Sequence, residues 1–453
     1  MTATGRKASR DWTTTPPTMM TEARKARLRF VLDTSPLRIS PAFRRIFIAR
    51  TISIFGLGML AVAIPVQVFE LTDSTLHVGM AASIEGICAF AGLLFGGVAA
   101  DRFDRRTIII ASRVLGGLGF AVLALNAWVP EPSLATIYLV GAIDGFFGGF
   151  SVTALMAVTP SLIPRDKLPA AGALNLLSVR LGTMISPAIG GLVIAAGGVG
   201  WNYAGAAGTT FLTILLLLGL PPMRPEKSGE PQHPLRSAIE GASFVYRNRI
   251  VRSVVLIGTL ETAASGVRVL LPALAVAAFG VGPEGTGLLY SAVPVGAVAA
   301  TLLSGWVGDL KHPGRAMLLL ATGSFAALAI LGLCRDLVHA LIALAIFGAL
   351  SSLSSILQYS LVQQHTPDRL LGRVNALWMA QEVGAESGGA LALGGLGKLV
   401  AASSALTVFG AAAAAAGLAG LLGFRSLTAA APATAEQDST ARQTQNQESN
   451  NHA

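Results

Sequence analysis

Six stretches of this 453-residue chain, 145–164, 181–223, 285–308, 316–334, 337–367 and 399–424, contain no Asp, Glu, Lys or Arg. Each is near or above the roughly 19 residues that a hydropathy window needs to mark a bilayer crossing. The 181–223 stretch is too long for one crossing, and its Gly197-Gly198-Val199-Gly200 run divides it between two helices. A chain that is 53% hydrophobic and 13% charged cannot be an ordinary soluble globule, in which about a quarter of residues carry charge. Spanning segments must satisfy their own backbone hydrogen bonds in hydrocarbon, and the short alternating segments of a barrel are absent, so the spans are helices.

Other spans are interrupted by single ionisable residues: Arg50, Glu85, Asp144, Arg180, Glu261, Arg268, Glu382 and Glu386. With these included, the expectation is an all-α membrane protein of twelve transmembrane helices. Residues 1–42 form a basic arm expected to be disordered, 43–221 a first six-helix bundle, 222–250 a central loop, 251–425 a second bundle, and 426–453 a disordered tail. The arm has no apolar core of a signal peptide.

Basic residues fix the orientation. With twelve helices, 27 of the 33 Lys and Arg fall on the side holding both termini and the central loop, and only Arg335 and Lys398 fall in loops on the other. The positive-inside rule then places both termini in the cytoplasm of a cell, or inner, membrane. The net charge of +9 is thus a topology signal and not the mark of a nucleic-acid partner, because no basic patch is interleaved with aromatics.

The two halves repeat. Gly97-Val-Ala-Ala-Asp101-Arg102-Phe-Asp-Arg105-Arg106 closes the second span, and Gly305-Trp-Val-Gly-Asp309 closes the eighth, 208 residues later by the aspartates. Asp166-Lys167-Leu168 and Asp368-Arg369-Leu370 repeat at a spacing of 202. Two parallel copies of a six-helix unit are one way of building a transporter. Asp101 stands at the partially negative end of its helix, where a carboxylate needs compensation from arginines or from another helix's N-terminus. The eleventh helix, beginning near Val374, is the expected partner, in a contact between halves that opens and closes; a solvated basic turn is the plainer alternative.

The Asp101 loop resembles motif A of the major facilitator superfamily, with Asp104 where that motif usually has Gly. Gly182-Thr-Met-Ile-Ser186-Pro187-Ala-Ile-Gly190-Gly191 resembles the end of the antiporter motif C, with Ser186 where Gly is usual. Within the superfamily, Arg50–Gln67, Pro130–Leu134, Ile143–Phe147, Val179–Gly182, Gly200–Tyr203, Val267–Ala275 and Leu371–Trp378 are similar to the family of enterobactin exporters, in order from about Ser40 to Phe424. The resemblance implies the two-bundle fold and proton-coupled export of a catecholate siderophore by alternating access. Relatives in the same branch expel drugs, so a multidrug or amphiphile efflux antiporter remains an alternative, as does a membrane sensor that transports nothing.

The intramembrane charges have a reading of their own. An ionisable residue at mid-helix costs at least about 2.5–3.5 kcal/mol and by default marks a pair, a cavity or a proton path. Asp144 and Arg180, each about ten residues into antiparallel helices, are expected to lie within a turn or two of the same depth, as a proton-exchanging or a permanent pair. Glu261 and Arg268 are two turns apart on nearly one face and can line one cavity. Glu382 and Glu386 are four apart, where mutual repulsion favours a bound proton. Glu85 is alone in its helix, and with Asp144, Glu261, Glu382 and Glu386 it completes the proton-coupling candidates. Arg50 and Arg113 are expected to snorkel. For a catechol-bearing ligand the candidates are Arg180, Arg268, Phe146, Tyr359 and Trp378, although such aromatics also pack between helices. The expected partners are a small amphiphile, protons and membrane lipid.

No cofactor or metal site is indicated, since Cys88 and Cys334 lie in opposite halves and the six histidines are scattered. Gly280-Val-Gly-Pro-Glu-Gly285 satisfies a dinucleotide fingerprint but stands in a short loop, and Gly397-Lys398 lacks the phosphate-binding spacing, so ATP hydrolysis is not expected. No nucleophile motif supports an enzyme.

Overall fold

The structure is a computed structural model that describes residues 33–221, 223 and 234–428; the side chains of Asp101, 156–157, 159–161 and 234–238 are outside the description. Twelve long helices cross the described residues. In the first half they are α1 (Pro41–Thr72), α2 (Thr75–Arg102), α3 (Arg105–Trp128), α4 (Leu134–Leu162), α5 (Leu168–Gly197) and α6 (Val199–Leu218). The second half has α7 (Arg249–Ala277), α8 (Pro283–Leu302), α9 (Pro313–Leu331), α10 (Leu337–Gln364), α11 (Asp368–Leu399) and α12 (Ala402–Gly423). Among the described residues eleven helices are long and apolar enough to cross a membrane; the twelfth is α11, which carries Glu382 and Glu386 at mid-length. The break foreseen at Gly197–Gly200 is a turn at Gly198, whose φ of 87° is open to glycine at little cost.

Order begins earlier than expected at the N-terminus. A short helix, Ser35–Ile39, and the first residues of α1 fall inside the arm assigned as disordered, because Ser40 caps α1 through Phe43 N–H and Lys167 pairs with Asp33 at 3.0 Å. The central loop also contains a helix, Pro234–Arg247. Residues 1–32, 222, 224–233 and 429–453, the remainder of the arm, loop and tail, lie outside the described residues.

One helix is broken for an identifiable reason. Pro272 has no N–H to give to the Arg268 carbonyl four residues earlier, so α7 tightens into a 3-10 turn over Ser265–Leu270. The Arg268 carbonyl is taken instead by the Leu271 N–H and by the Tyr290 hydroxyl of α8 at 2.7 Å.

The halves meet through α2 against α11 and α5 against α8. Thr75 Oγ1 donates to the Gly394 carbonyl (2.8 Å) and Ser83 Oγ to the Ser387 carbonyl (2.8 Å). Ala188 N–H, next to Pro187 of α5, donates to Ser291 Oγ (3.1 Å). A methyl group on Gly191 would lie 2.5 Å from the Pro283 carbonyl oxygen, and one on Gly79 would lie 2.6 Å from that of Ala390. Small residues allow such backbone approach where no water drives helices together. All these contacts lie at the end carrying the α1–α2, α5–α6, α7–α8 and α11–α12 connections. Along α11, Ser387, Ala390, Leu393 and Gly394 are buried, whereas Met379, Glu382 and Glu386, nearer the other end, are exposed. The molecule is therefore shut at one end and open toward the end where residues 33 and 428 lie.

Gly191→Val forces a branched side chain into backbone, an overpacking cost of about 1–3 kcal/mol. In a protein lacking Cys88 and Cys334 and carrying Thr286→Cys, a buried position next to Gly287 of this contact, thiol labelling should accelerate about tenfold on the Gly191→Val substitution, since about 1.4 kcal/mol is a factor of ten.

Candidate functional site

Three polar stripes at helical spacing face one another in the second half. On α7 they are Gly258, Glu261, Ser265 and Arg268; on α10, Ser351, Ser355, Gln358 and Tyr359; on α11, Trp378, Glu382 and Glu386. Intervals of three, four and seven residues put each set on one face. Together they line a cavity of about 470 Å³. A second cavity, of about 430 Å³, lies between the halves, with apolar walls from α1 and α2 and with Glu85, Asp144, Tyr290 and Ser387 on its lining. Ser265, Arg268 and Glu386 belong to both.

The Arg268–Glu386 pair thus stands on the boundary between the two spaces. Its Nη1–Oε1 distance is 3.5 Å and both side chains are about half exposed (52% and 53%). A single long contact reached by water is a weak bond that a ligand can replace. Glu382 accepts from Trp378 Nε1 at 3.0 Å, one turn away. Glu261 is different: it is 3% exposed and held by Ser354 Oγ (2.8 Å), Gln358 Nε2 (2.5 Å) and Ser324 Oγ (3.4 Å), so three donors from two helices, α9 and α10, satisfy one buried carboxyl group.

The five carboxylates of the sequence analysis, Glu85, Asp144, Glu261, Glu382 and Glu386, all line one or other cavity, and Arg268 is the one Lys or Arg among the lining residues. Tyr359 and Trp378 are on the first cavity. Arg180 and Phe146 line neither. Phe146 stands in a cluster of rings with Phe95, Phe147 and Phe150, at centroid distances of 6.3, 5.3 and 5.1 Å.

Asp144 and Arg180 do not form an ion pair among the described residues; Arg180 Nε is buried without a hydrogen-bond partner. The Asp144 carboxylate lies against α3, where a methyl group on Gly116 would be 3.0 Å from its Oδ1, and its charged neighbours are Arg113, one turn along α3, and Glu85 of α2. Arg113 does not snorkel. Its Nη1 donates to the buried Ser53 Oγ of α1 at 2.5 Å, and sequence depth alone could not separate an inward from an outward rotation of α3.

Among the described residues, several contacts of the α2–α3 turn are made within the first half. Asp104 Oδ1 accepts from Arg106 N–H (2.9 Å) and Met223 N–H (3.0 Å), Arg106 Nη2 donates to the Leu218 carbonyl (2.7 Å), and Arg105 Nε to that of Ala100 (3.3 Å). The unusual Asp104 therefore caps α3 and ties the turn to the chain leaving α6. Arg102 is exposed and Gly97 has open space beside it; the Asp101 side chain lies outside the description. Near the start of α11, Arg373 pairs with Glu240 of the central helix. The antiporter-like glycines are packing positions: a methyl group on Gly190 would meet Met59 Cα at 3.0 Å, Gly182 abuts Ile54 of α1, and Gly191 meets α8.

The family profile described as Major Facilitator Superfamily matches residues 46–385. The chain belongs to the Major Facilitator Superfamily. Like other members of this transporter family it is a multi-pass membrane protein that acts on a small-molecule substrate. The chain is 45% identical over 399 residues to the enterobactin exporter EntS of Citrobacter koseri, covering 88% of this chain and 95% of the relative. It is 47% identical over 383 residues to the enterobactin exporter EntS of Shigella boydii serotype 18, covering 84% and 92%. Among solved structures, a POT family transporter in complex with 5-aminolevulinic acid matches with a TM-score of 0.70 at 13% identity, covering 86% of this chain and 97% of that one. The nucleoside transporter NupG matches at 0.68 and 11% identity, covering 85% and 98%. At such identities the structures speak for the superfamily fold alone.

Gln358→Leu leaves the Glu261 carboxyl short of a donor in the buried cluster and should lower stability by about 1–3 kcal/mol. In a Glu261→Leu background the same change should cost much less, a non-additivity that chemical unfolding of the four proteins in micelles will measure.

Proposed function

We propose that this chain exports a catecholate siderophore of the enterobactin class from the cytoplasm in exchange for protons, and that residues 43–221 and 251–425 rock against each other about the boundary pair Arg268–Glu386. The observation that carries the reading is the make-up of the cavity lining: five carboxylates, one arginine and a Trp–Tyr wall, beneath a closed end and opposite an open one. The relatives named as enterobactin exporters supply the substrate class.

The chemistry fits a ligand of neutral catechols. Catechol hydroxyls are hydrogen-bond donors, and a lining of carboxylates offers acceptors; the ring faces suit Trp378 and Tyr359. A catechol hydroxyl that donates to the Glu386 carboxylate takes the place of its weak bond to Arg268, and a proton bound at Glu386 removes that acceptor. Substrate and proton thus compete for one residue, as exchange requires: a proton arriving from the far side displaces the substrate there, and its loss to the cytoplasm lets the next substrate bind. With the basic side in the cytoplasm, the open end faces the source of the substrate.

Purified protein in vesicles should accumulate enterobactin against an imposed proton gradient and lose that accumulation with a protonophore. Glu386→Gln should lower gradient-driven accumulation about tenfold or more while leaving exchange of labelled for unlabelled substrate, as expected when a coupling free energy of about 1–3 kcal/mol is removed. Accumulation indifferent to the protonophore would end the antiport reading, and transport of lipophilic cations in place of enterobactin would move the chain to drug efflux. For orientation, with the two native cysteines removed, Arg335→Cys should react with an impermeant thiol reagent in intact cells, and Arg315→Cys only after permeabilisation.

A further inference from the structure

The central helix Pro234–Arg247 packs on the start of α11, with Gly241 against the Arg373 backbone, Val245 buried and Glu240 paired with Arg373. At 100° per residue, the side opposite Gly241 and Val245 carries Ile239, Ser243, Tyr246 and Arg247. All four are exposed, Ile239 at 67% and Tyr246 at 73%. An isoleucine and a tyrosine turned outward at the end of a membrane bundle leave apolar surface facing away from the protein. At the level of lipid headgroups that surface has a partner, since tyrosine favours that zone and amphipathic helices rest there with the apolar side in the acyl boundary.

The charges beside this face select the lipid. One residue, Asn248, separates the helix from α7, and around this corner stand Arg247, Arg249 and Arg252. Arg247 and Arg249 are exposed. Arg252 lies 5.7 Å over the Tyr246 ring and donates to the Tyr246 carbonyl at 3.2 Å, which holds the ring and the guanidinium side by side. Guanidinium groups bind phosphate oxygens in a fixed fork geometry, and neither Asp nor Glu occurs between Gly241 and Leu260 to compete.

We propose that Ile239, Tyr246, Arg247, Arg249 and Arg252 form a docking site for an anionic phospholipid. The chemistry required is a negatively charged phosphodiester headgroup above acyl chains, as in phosphatidylglycerol. The site lies apart from both cavities, and because Glu240 and Arg373 join the helix to α11, a lipid that anchors the helix also anchors the open end of α11. The inference does not depend on the transported substrate.

The test uses the full-length protein with Tyr246→Trp, reconstituted in phosphatidylcholine vesicles containing brominated phosphatidylglycerol or brominated phosphatidylcholine, with the quenching of native tryptophans subtracted from the parent protein. The added tryptophan should be quenched by the brominated anionic lipid at lower mole fraction, giving a relative association constant of about five or more over phosphatidylcholine, the scale of one arginine near an anionic surface. Replacing Arg247, Arg249 and Arg252 together by Gln should bring the ratio to about one. Ile239→Trp, a second reporter on the same face, should give the same preference. Equal quenching by both lipids, no quenching by either, or an unchanged ratio in the arginine-to-glutamine protein would each overturn the proposal.

Discussion

Pro272 has no amide hydrogen, and the arrangement of the site follows from that absence. The carbonyl it leaves free belongs to Arg268, and the Tyr290 hydroxyl fills the gap from α8. The resulting 3-10 turn places Gly266 so that a methyl group there would lie 2.5 Å from the Gly389 carbonyl carbon, bringing α7 against α11 without an intervening side chain. Arg268, on the same turn, then emerges opposite Glu386. A regular helix would have bonded this carbonyl internally and rotated the residues beyond it. The break, the close contact and the ion pair are one structural event.

The charge distribution has the same economy. A carboxylate in hydrocarbon is tolerated when it faces protein or water, and these five do so in three ways. Glu261 is sealed and fully bonded, Asp144 lies beside Arg113 and the α3 backbone, and Glu85, Glu382 and Glu386 reach cavity space. Buried polar networks of the first kind rigidify the helices they join. Of the five carboxylates, Glu382 and Glu386 are exposed and can change partner without a large desolvation penalty. A fixed carboxyl group and movable ones in one half suit a unit that turns as a body while its surface charges are exchanged.

Much of this was readable from residue order. Charge-free runs depend only on composition over a span, so they marked the helices, and spacing alone put Glu261 with Arg268 and Glu382 with Glu386 on shared faces. Pairings between helices were less accessible, because depth is encoded by position but rotation about the axis is not. Asp144 and Arg180 stand at matching positions along antiparallel helices, yet α4 turns its aspartate toward α3, and Arg113 rotates inward to Ser53. The pairing of Arg268 with Glu386 needed the 3-10 turn, whose signal was Pro272. The helix within the central segment had a signal too: Ala238, Ile239, Ala242, Val245 and Tyr246 repeat at three- and four-residue intervals between charges. It is shorter than a membrane span, so a search for spans passes over it.

The one-ended closure carries the last step. Gly191 against Gly287 and Gly79 against Ala390 bring backbones together, and the hydrogen bonds of Thr75, Ser83 and Ala188 are all made to groups across the divide. Opening this end must break those bonds together, since rigid helices separate along their whole contact. The individual bonds are modest, on the order of 1 kcal/mol each, so the closed end is held by a few kcal/mol, a scale that neutralising one or two cavity charges can match. The arrangement needs no large conformational machinery between cavity and seal. Ser387 accepts the Ser83 bond through its carbonyl and is the residue next to Glu386, so the seal begins where the exchanging pair ends.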